Sequence, residues 1–180
     1  MSAADSGGGL SSVAPVAASV GARVASYEAL LSREPFVVRK RVRWADCDPA
    51  GVVYTGKFTE YLLIAVNYLF DELGQGNYGQ WLKALQVDTP CKGMDLEFHG
   101  ALWPEDEFDM HCGISQIRPH SFDIRVDAVQ EGGRRVFTGR FSPICISREV
   151  RRRVPIPEQM LQALQRFKVL AQPNSKDSSS

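Results

Sequence analysis

Two aspartates stand one residue apart in Asp46-Cys47-Asp48-Pro49-Ala50-Gly51, where Pro and Gly mark a turn. A carboxylate pair beside a turn can hold a cation, accept a phosphoryl group, or act as nucleophile or base. A calcium loop needs an oxygen ligand at its fifth position and Glu at its twelfth. Here those positions carry Ala50 and Lys57, which excludes calcium. Phosphoryl transfer to an Asp-x-Asp pair sits on an alternating parallel α/β scaffold, and the element order below does not supply one.

Other chemistry-bearing residues are more scattered. Gly74-Gln75-Gly76-Asn77-Tyr78-Gly79 matches the dinucleotide fingerprint letter for letter. The fingerprint has meaning only after a strand and at the start of a helix, and here it follows a helical pattern. It reads as a helix stop and a loop. His99 and His111 fall within strand patterns, while His120 sits at a turn in Arg118-Pro119-His120-Ser121-Phe122, where a ligand contact is as plausible as a structural role. Arg148, Arg151, Arg152 and Arg153 form a basic run that reads as a solvated strand end or a phosphate clamp. Cys47, Cys91, Cys112 and Cys145 form no Cys-x-x-Cys pair, and the histidines lack zinc-ligand spacing. The expectation is four reduced thiols in a cytoplasmic protein, with no metal and no cofactor.

The elements that must position these groups follow from periodicity. Phe36 to Trp44 alternates, with Val38, Lys40, Val42 and Trp44 on one side and three arginines on the other, so a strand is expected. Phe58, Tyr61, Leu62, Ala65, Leu69 and Leu73 recur every three or four residues and predict one long helix over Lys57 to Leu73. A shorter helix is expected from Tyr78 to Leu85. The period then becomes two, giving strands over Cys91 to Leu102, Glu107 to Ile117, Phe122 to Gln130 and Arg135 to Ser147, with a hairpin at Gly132-Gly133. A terminal helix is expected from Glu158 to Phe167. Short connections between successive strands imply antiparallel pairing, and a sheet with one face on a helix is α+β.

The chain has 180 residues, with 21 Lys and Arg balanced by 21 Asp and Glu. Zero net charge argues against nucleic-acid binding by bulk electrostatics, and no apolar run approaches the ~20 residues of a membrane span. Residues 1–33, rich in Ser, Ala and Gly, read as a loosely ordered leader with a short helix near Tyr27 to Leu31. Residues 34–168 form the expected domain, and 169–180 a polar tail.

The stretch Trp44-Ala45-Asp46-Cys47-Asp48-Pro49-Ala50-Gly51-Val52-Val53-Tyr54, followed by Phe58 and a long helix, resembles the opening motif of the 4-hydroxybenzoyl-CoA thioesterase family. The resemblance continues in outline through Phe98, Asp106 and the Arg118 to Phe122 segment. It implies a hotdog fold, in which a curved antiparallel sheet wraps one long helix. It also implies protomers joined edge to edge as a homodimer or homotetramer, with active sites between them. By position, Asp48 matches the catalytic carboxylate and Asp46 a structural turn residue. The backbone amides of Thr55, Gly56 and Lys57 match the oxyanion site. Thr55 stands where many relatives carry His or Tyr.

A thioester carbonyl gains negative charge as it is attacked, and helix N-terminal amides stabilise that charge. Asp48 then attacks the carbon directly or deprotonates water. The expected activity is hydrolysis of an acyl-CoA. Trp44, Tyr54 and Phe58 are the candidate acyl pocket, which suggests an aryl or short acyl group. Arg118, His120, Ser121, Arg152 and Arg153 are the candidates for CoA binding. The rival readings are a non-hydrolytic domain that holds acyl-CoA or an acyl carrier protein, and a dehydratase, whose His-bearing motif is not evident.

Overall fold

The structure, a computed structural model, describes residues 26–169. A six-stranded antiparallel sheet is built from β1 (Glu28–Arg33), β2 (Phe36–Arg41), β4 (Cys91–Phe98), β5 (Glu107–Ile117), β6 (Phe122–Val129) and β7 (Arg135–Pro143) in the spatial order β1-β2-β5-β6-β7-β4. Two short strands, β3 (Val87–Asp88) and β8 (Ile146–Ser147), pair separately. The helices are α1 (Lys57–Leu73), α2 (Tyr78–Ala84) and α3 (Glu158–Arg166).

One sheet face carries Val38, Phe108, Met110, Ile114, Ile124, Val126, Phe137 and Phe141, all buried, and α1 packs against it. On α1 the buried stripe is Phe58, Tyr61, Leu62, Ala65, Val66, Leu69 and Leu73. This broad stripe is what a helix facing a sheet requires. Gly74 caps α1, and Asn77 opens α2 by accepting the Gln80 N–H at 2.9 Å, so the Gly-rich run is a helix stop and a helix start. The opposite sheet face is laced with ion pairs: Arg39–Asp109, Arg125–Asp127 and Arg140–Asp95.

Several elements differ from expectation. The segment around Tyr27 to Leu31, expected as a short helix, contributes to edge strand β1, paired to β2. The ordered domain therefore includes residues the leader was expected to hold, while residues 1–25 and 170–180 lie outside the described ones. Pairing overrides local preference here, because β2 offers an open edge. The first central strand ends at Arg41, and Trp44–Asp46 is a 3₁₀ turn. The run expected through Leu102 ends at Phe98, and the one expected through Ser147 breaks at Pro143, with Ile146–Ser147 leaving to meet Val87–Asp88.

Lys40, out of pattern in the sequence, does face the core side at 2% exposure. Its ammonium donates to the Arg41 carbonyl at 3.0 Å, lies 3.4 Å from Glu28 and faces the Tyr61 ring. Burial lowers its pKa, with Glu28 opposing that shift.

Residues 167–169 run along β5: Ile114 N–H donates to Phe167 O at 2.8 Å and Val169 N–H donates to Ile114 O at 3.0 Å, a parallel bridge centred on Lys168. A Cβ on Gly113 would stand 2.4 Å from Val169 Cγ1, so only glycine admits this approach.

Candidate active site

The Asp48 loop is folded by its own backbone. Asp48 N–H donates to Val52 O at 2.9 Å and Tyr54 N–H to Asp46 O at 3.0 Å, with Cys47 bridging Val53. The four residues from Asp48 turn tightly: Gly51 N–H donates to Asp48 O at 2.9 Å, and Gly51 has φ +80°, a conformation that favours glycine. Asp48 Oδ1 accepts the Ala50 N–H at 2.8 Å. Among the described residues Oδ2 has no hydrogen-bond partner. The paired segment 52–54 then leads within three residues into α1, and Val53 N–H anchors it to Leu102 O at 2.9 Å.

Asp46 points the other way, into the protein. It is buried, and its Oδ2 accepts the Tyr61 hydroxyl at 2.9 Å and the Arg43 N–H at 3.2 Å. Burial, then the hydrogen bond to Asp46, raises the Tyr61 pKa far above the phenol range, so this hydroxyl stays a donor. Asp46 thus fastens the turn to α1, the structural role its position implied. Cys47, between the two aspartates, has its thiol pushed up by burial and then by the negative charge of Asp46, Asp48 and Asp106. A thiol held neutral is a poor nucleophile.

Of the three amides expected to line the oxyanion site, two are free. Lys57 N–H is bound to Tyr54 O at 2.8 Å. The Thr55 and Gly56 N–H groups have no partner among the described residues, and both residues are exposed. Tyr54 lies across Gly56: a Cβ there would stand 2.6 Å from Tyr54 Cε1.

The expected acyl-pocket residues divide. Trp44 is 72% exposed and the Tyr54 ring is also open. Phe58, by contrast, is buried, edge-on to Phe98 at 5.1 Å and Phe137 at 5.8 Å. It belongs to the core because position 58 lies on the inner stripe of α1, so within one chain it is no open pocket wall. Phe98, against which Phe58 packs, is 49% exposed on edge strand β4. Two cavities, of about 570 and 310 Å³, lie beside Arg39 and Asp109 and beside Tyr68 and Asp71, and neither touches Asp48.

The expected CoA-binding residues are gathered, though far from Asp48 in the same chain. Cys145 N–H donates to His120 O, Ile156 N–H to Pro119 O, and Arg153 bridges Ile146, so the turn at 118–121 and Arg152–Arg153 share one end of the sheet. The Asp48 loop is at the other end, where Val42 meets Asp106 before β5 begins. The eleven residues of β5 separate the two ends by roughly 35 Å at ~3.4 Å per residue. Arg118 forks onto Asp123 at 2.9 and 2.8 Å, and Ser121 is buried. His120 Nδ1 is buried without a partner among the described residues, and Arg152 and Arg153 are exposed. Sequence reasoning passed over Lys92, whose ammonium donates to Ser121 Oγ at 3.1 Å and has no carboxylate partner among the described residues. Its signal was weak, a single lysine at the start of an alternating run.

Among the described residues no three His, Cys, Asp or Glu side chains cluster to hold a metal ion, and no helix is long and apolar enough to cross a membrane. Residues 42–164 match the model of the thioesterase-like superfamily. The chain belongs to that superfamily. A 1,4-dihydroxy-2-naphthoyl-CoA hydrolase of Acaryochloris marina is 28% identical over 132 residues, which cover 71% of this chain and 94% of the relative. Among solved structures, a thioesterase superfamily member from Jannaschia sp. CCS1 superposes with a TM-score of 0.69 at 25% identity, covering 77% of this chain and 96% of that one. A 4-hydroxybenzoyl-CoA thioesterase superposes with a TM-score of 0.63 at 19% identity, covering 71% and 96%. The α+β hotdog arrangement implied by the opening motif is the one observed, and the superfamily is the one that motif resembles.

Proposed function

We propose that this chain hydrolyses an acyl-CoA to the free acid and CoA, with an aromatic acyl group as its substrate class. The observation that carries the reading is Asp48, with an unpartnered Oδ2, held by the 46–48/52–54 pairing just ahead of the free Thr55 and Gly56 amides. Those two N–H groups take the charge that develops on the carbonyl oxygen. Asp48 draws a proton from water as the water oxygen bonds to the carbonyl carbon. The C–S bond then breaks and the departing thiolate takes up a proton. In the alternative route Asp48 attacks first, and water cleaves the resulting mixed anhydride.

Exposed Trp44, Tyr54 and Phe98 favour an aromatic acyl group, as does the naphthoyl substrate in the name of the Acaryochloris relative. Arg118, His120, Ser121, Arg152 and Arg153 serve the nucleotide in this reading, and the working unit is a homodimer or a dimer of dimers. Four unbridged cysteines suit a reducing, cytoplasmic setting. The test is a panel of aryl, short-chain and long-chain CoA thioesters with a thiol reagent. Aryl thioesters should give the highest kcat/KM. Stoichiometric acyl-CoA binding without turnover across the panel would replace the reading with that of a binding domain.

A further inference from the structure

On the core side of β2, between the buried Val38 and Val42, stands the buried Lys40. An ion pair taken out of water stabilises a fold no more than well-packed apolar side chains of the same volume. Packing alone therefore gives no reason for a lysine here. Its neighbours do.

Glu28 of β1 gathers two cations. Its Oε1 lies 3.4 Å from Lys40 Nζ and 3.9 Å from an Arg43 guanidinium nitrogen. Each cation reaches Asp46 by its own route. The Arg43 backbone N–H donates to Asp46 Oδ2 at 3.2 Å. Lys40 faces the Tyr61 ring at 5.5 Å, and the Tyr61 hydroxyl donates to the same Oδ2 at 2.9 Å. A cation on a ring face is attracted to it, so the ammonium holds the ring that aims this hydroxyl. Both donors to Asp46 Oδ2 are thus backed by groups that meet at Glu28. Lys40 also donates to the Arg41 carbonyl at 3.0 Å, where the chain leaves β2 for the turn. Asp46 in turn accepts the Tyr54 N–H on its own carbonyl, the outer bond of the Asp48 loop. Glu28 and Lys40 lie ahead of residues 42–164, which match the superfamily, so this support comes from the chain's own first two strands.

We propose that Glu28 and Lys40 are positioning residues for Asp48. The Lys40 ammonium steadies Tyr61 and the strand end, Arg43 and Tyr61 steady Asp46, and Asp46 keeps Asp48 ahead of the Thr55 and Gly56 amides. Glu28 keeps the ammonium charged: burial lowers the Lys40 pKa, and the Glu28 carboxylate is the largest influence against that. Arg43 lowers it further and Asp46 raises it. Tyr27 from β1 and Tyr61 from α1 present their rings to Lys40, and β5 places Phe108 opposite it. The support is present while Lys40 is protonated and is lost as pH rises through its folded value. Removing the Glu28 charge brings that loss to lower pH. The kinetic part of this proposal rests on the thioesterase reading, whereas the order of the turn does not.

The test compares Glu28→Gln and Lys40→Met with the unmodified chain on its best aryl-CoA thioester, from about pH 7 to about pH 10. In Glu28→Gln the alkaline fall in kcat should come at a pH lower by about one or more, with little change in KM. Lys40→Met fills the space without a charge. It should lower kcat by about tenfold at neutral pH, and adding Glu28→Gln to it should change nothing further. A general loss of stability would lower the thermal midpoint without moving the alkaline fall. Hydrogen exchange gives a readout apart from activity. Protection of the Tyr54 amide, which Asp46 holds, should weaken with rising pH sooner in Glu28→Gln than in the unmodified chain. Superimposable kcat profiles with equal Tyr54 protection overturn the proposal. Protection that shifts while kcat does not overturns the link to Asp48 and leaves the thioesterase reading standing. If no thioester is turned over, that reading falls, and the exchange measurement alone decides whether Glu28 and Lys40 hold the turn.

Discussion

The Tyr61 hydroxyl and Asp46 Oδ2 are 2.9 Å apart, both buried, and this one bond joins the long helix to the turn that carries Asp48. It fixes the turn at the point where the chain changes from strand to helix. Tyr61→Phe leaves the buried Asp46 carboxylate with the Arg43 N–H and a distant Lys57 at 3.7 Å. Stability should fall by about 1–3 kcal/mol, read from urea unfolding. Turnover per folded molecule should fall less than in the Asp48 variant, because Asp48 itself remains.

Asp48→Asn keeps the size and the Oδ1 contact but loses the charge. The fall should be in kcat, by about 10²–10⁴ for a general base and by more for a nucleophile. KM and thermal midpoint should stay close to wild type. A folded variant with near-normal turnover would remove Asp48 from the mechanism and direct attention to Glu60 on the first turn of α1.

Gly56→Ala tests the roof over the free amides. Its backbone angles are helical, so alanine fits the conformation, but the new Cβ meets Tyr54 Cε1 at 2.6 Å. The open Tyr54 ring can swing aside, so stability should change by only about 0.5 kcal/mol. Discrimination between aryl and short-chain thioesters should narrow. Adding Tyr54→Ala to Gly56→Ala should then cost little further discrimination if displacement of the ring is the cause.

Asp123 supplies a pH signature. Burial raises its pKa, but hydrogen bonds from Arg118 and Ser142, with the charges of Arg118 and Arg140, outweigh burial and hold it below the usual carboxylate range. The unfolded chain then binds the proton more readily than the folded one. The stabilisation is therefore fully present above the unfolded value of about 4 and lost as pH falls through the folded value. Urea midpoints taken from about pH 6 to about pH 3 should fall more steeply for the wild type than for Asp123→Asn. Parallel curves would show that Asp123 has no share in acid unfolding.

Arg152 and Arg153 are exposed and lie beside the His120 turn. Neutralising both should raise KM and flatten its dependence on salt, with kcat nearly intact. A thioester lacking the nucleotide should be indifferent to the change. An equal loss with that truncated substrate would point to the fold rather than to phosphate recognition.

The elements that sequence made legible are those whose burial is written in their own periodicity. The α1 stripe from Phe58 to Leu73 is one, and the alternation along β5 and β6 is another. What stayed hidden depends on partners distant in sequence. Glu28 to Arg33 has no strong pattern and is a strand because β2 offers it an edge. Phe58 read as a pocket aromatic because it is near Asp48 in sequence, yet helix phase turns it inward against Phe137. Arg118 read as a CoA-binding candidate, and its guanidinium forks onto Asp123, five residues ahead across a turn. Local spacing marks the Asp48 turn, whereas charge pairing is settled only once strands are in register.

The seam along β5 has a consequence for how this chain comes into being. One side of that strand is shared by two segments, β2 over Glu107 to His111 and Phe167–Val169 at Gly113 and Ile114. The Phe36 and Phe167 rings meet where these segments adjoin, 5.8 Å apart. During synthesis, the half of β5 beyond His111 stays bare until residue 167 has been added. A nascent chain stopped anywhere between β7 and α3 therefore displays a hydrophobic strand edge, while the complete domain seals it. Protection of that edge from premature pairing is thus set by the order of translation, and residues 167–169, just past α3, are what end the exposure.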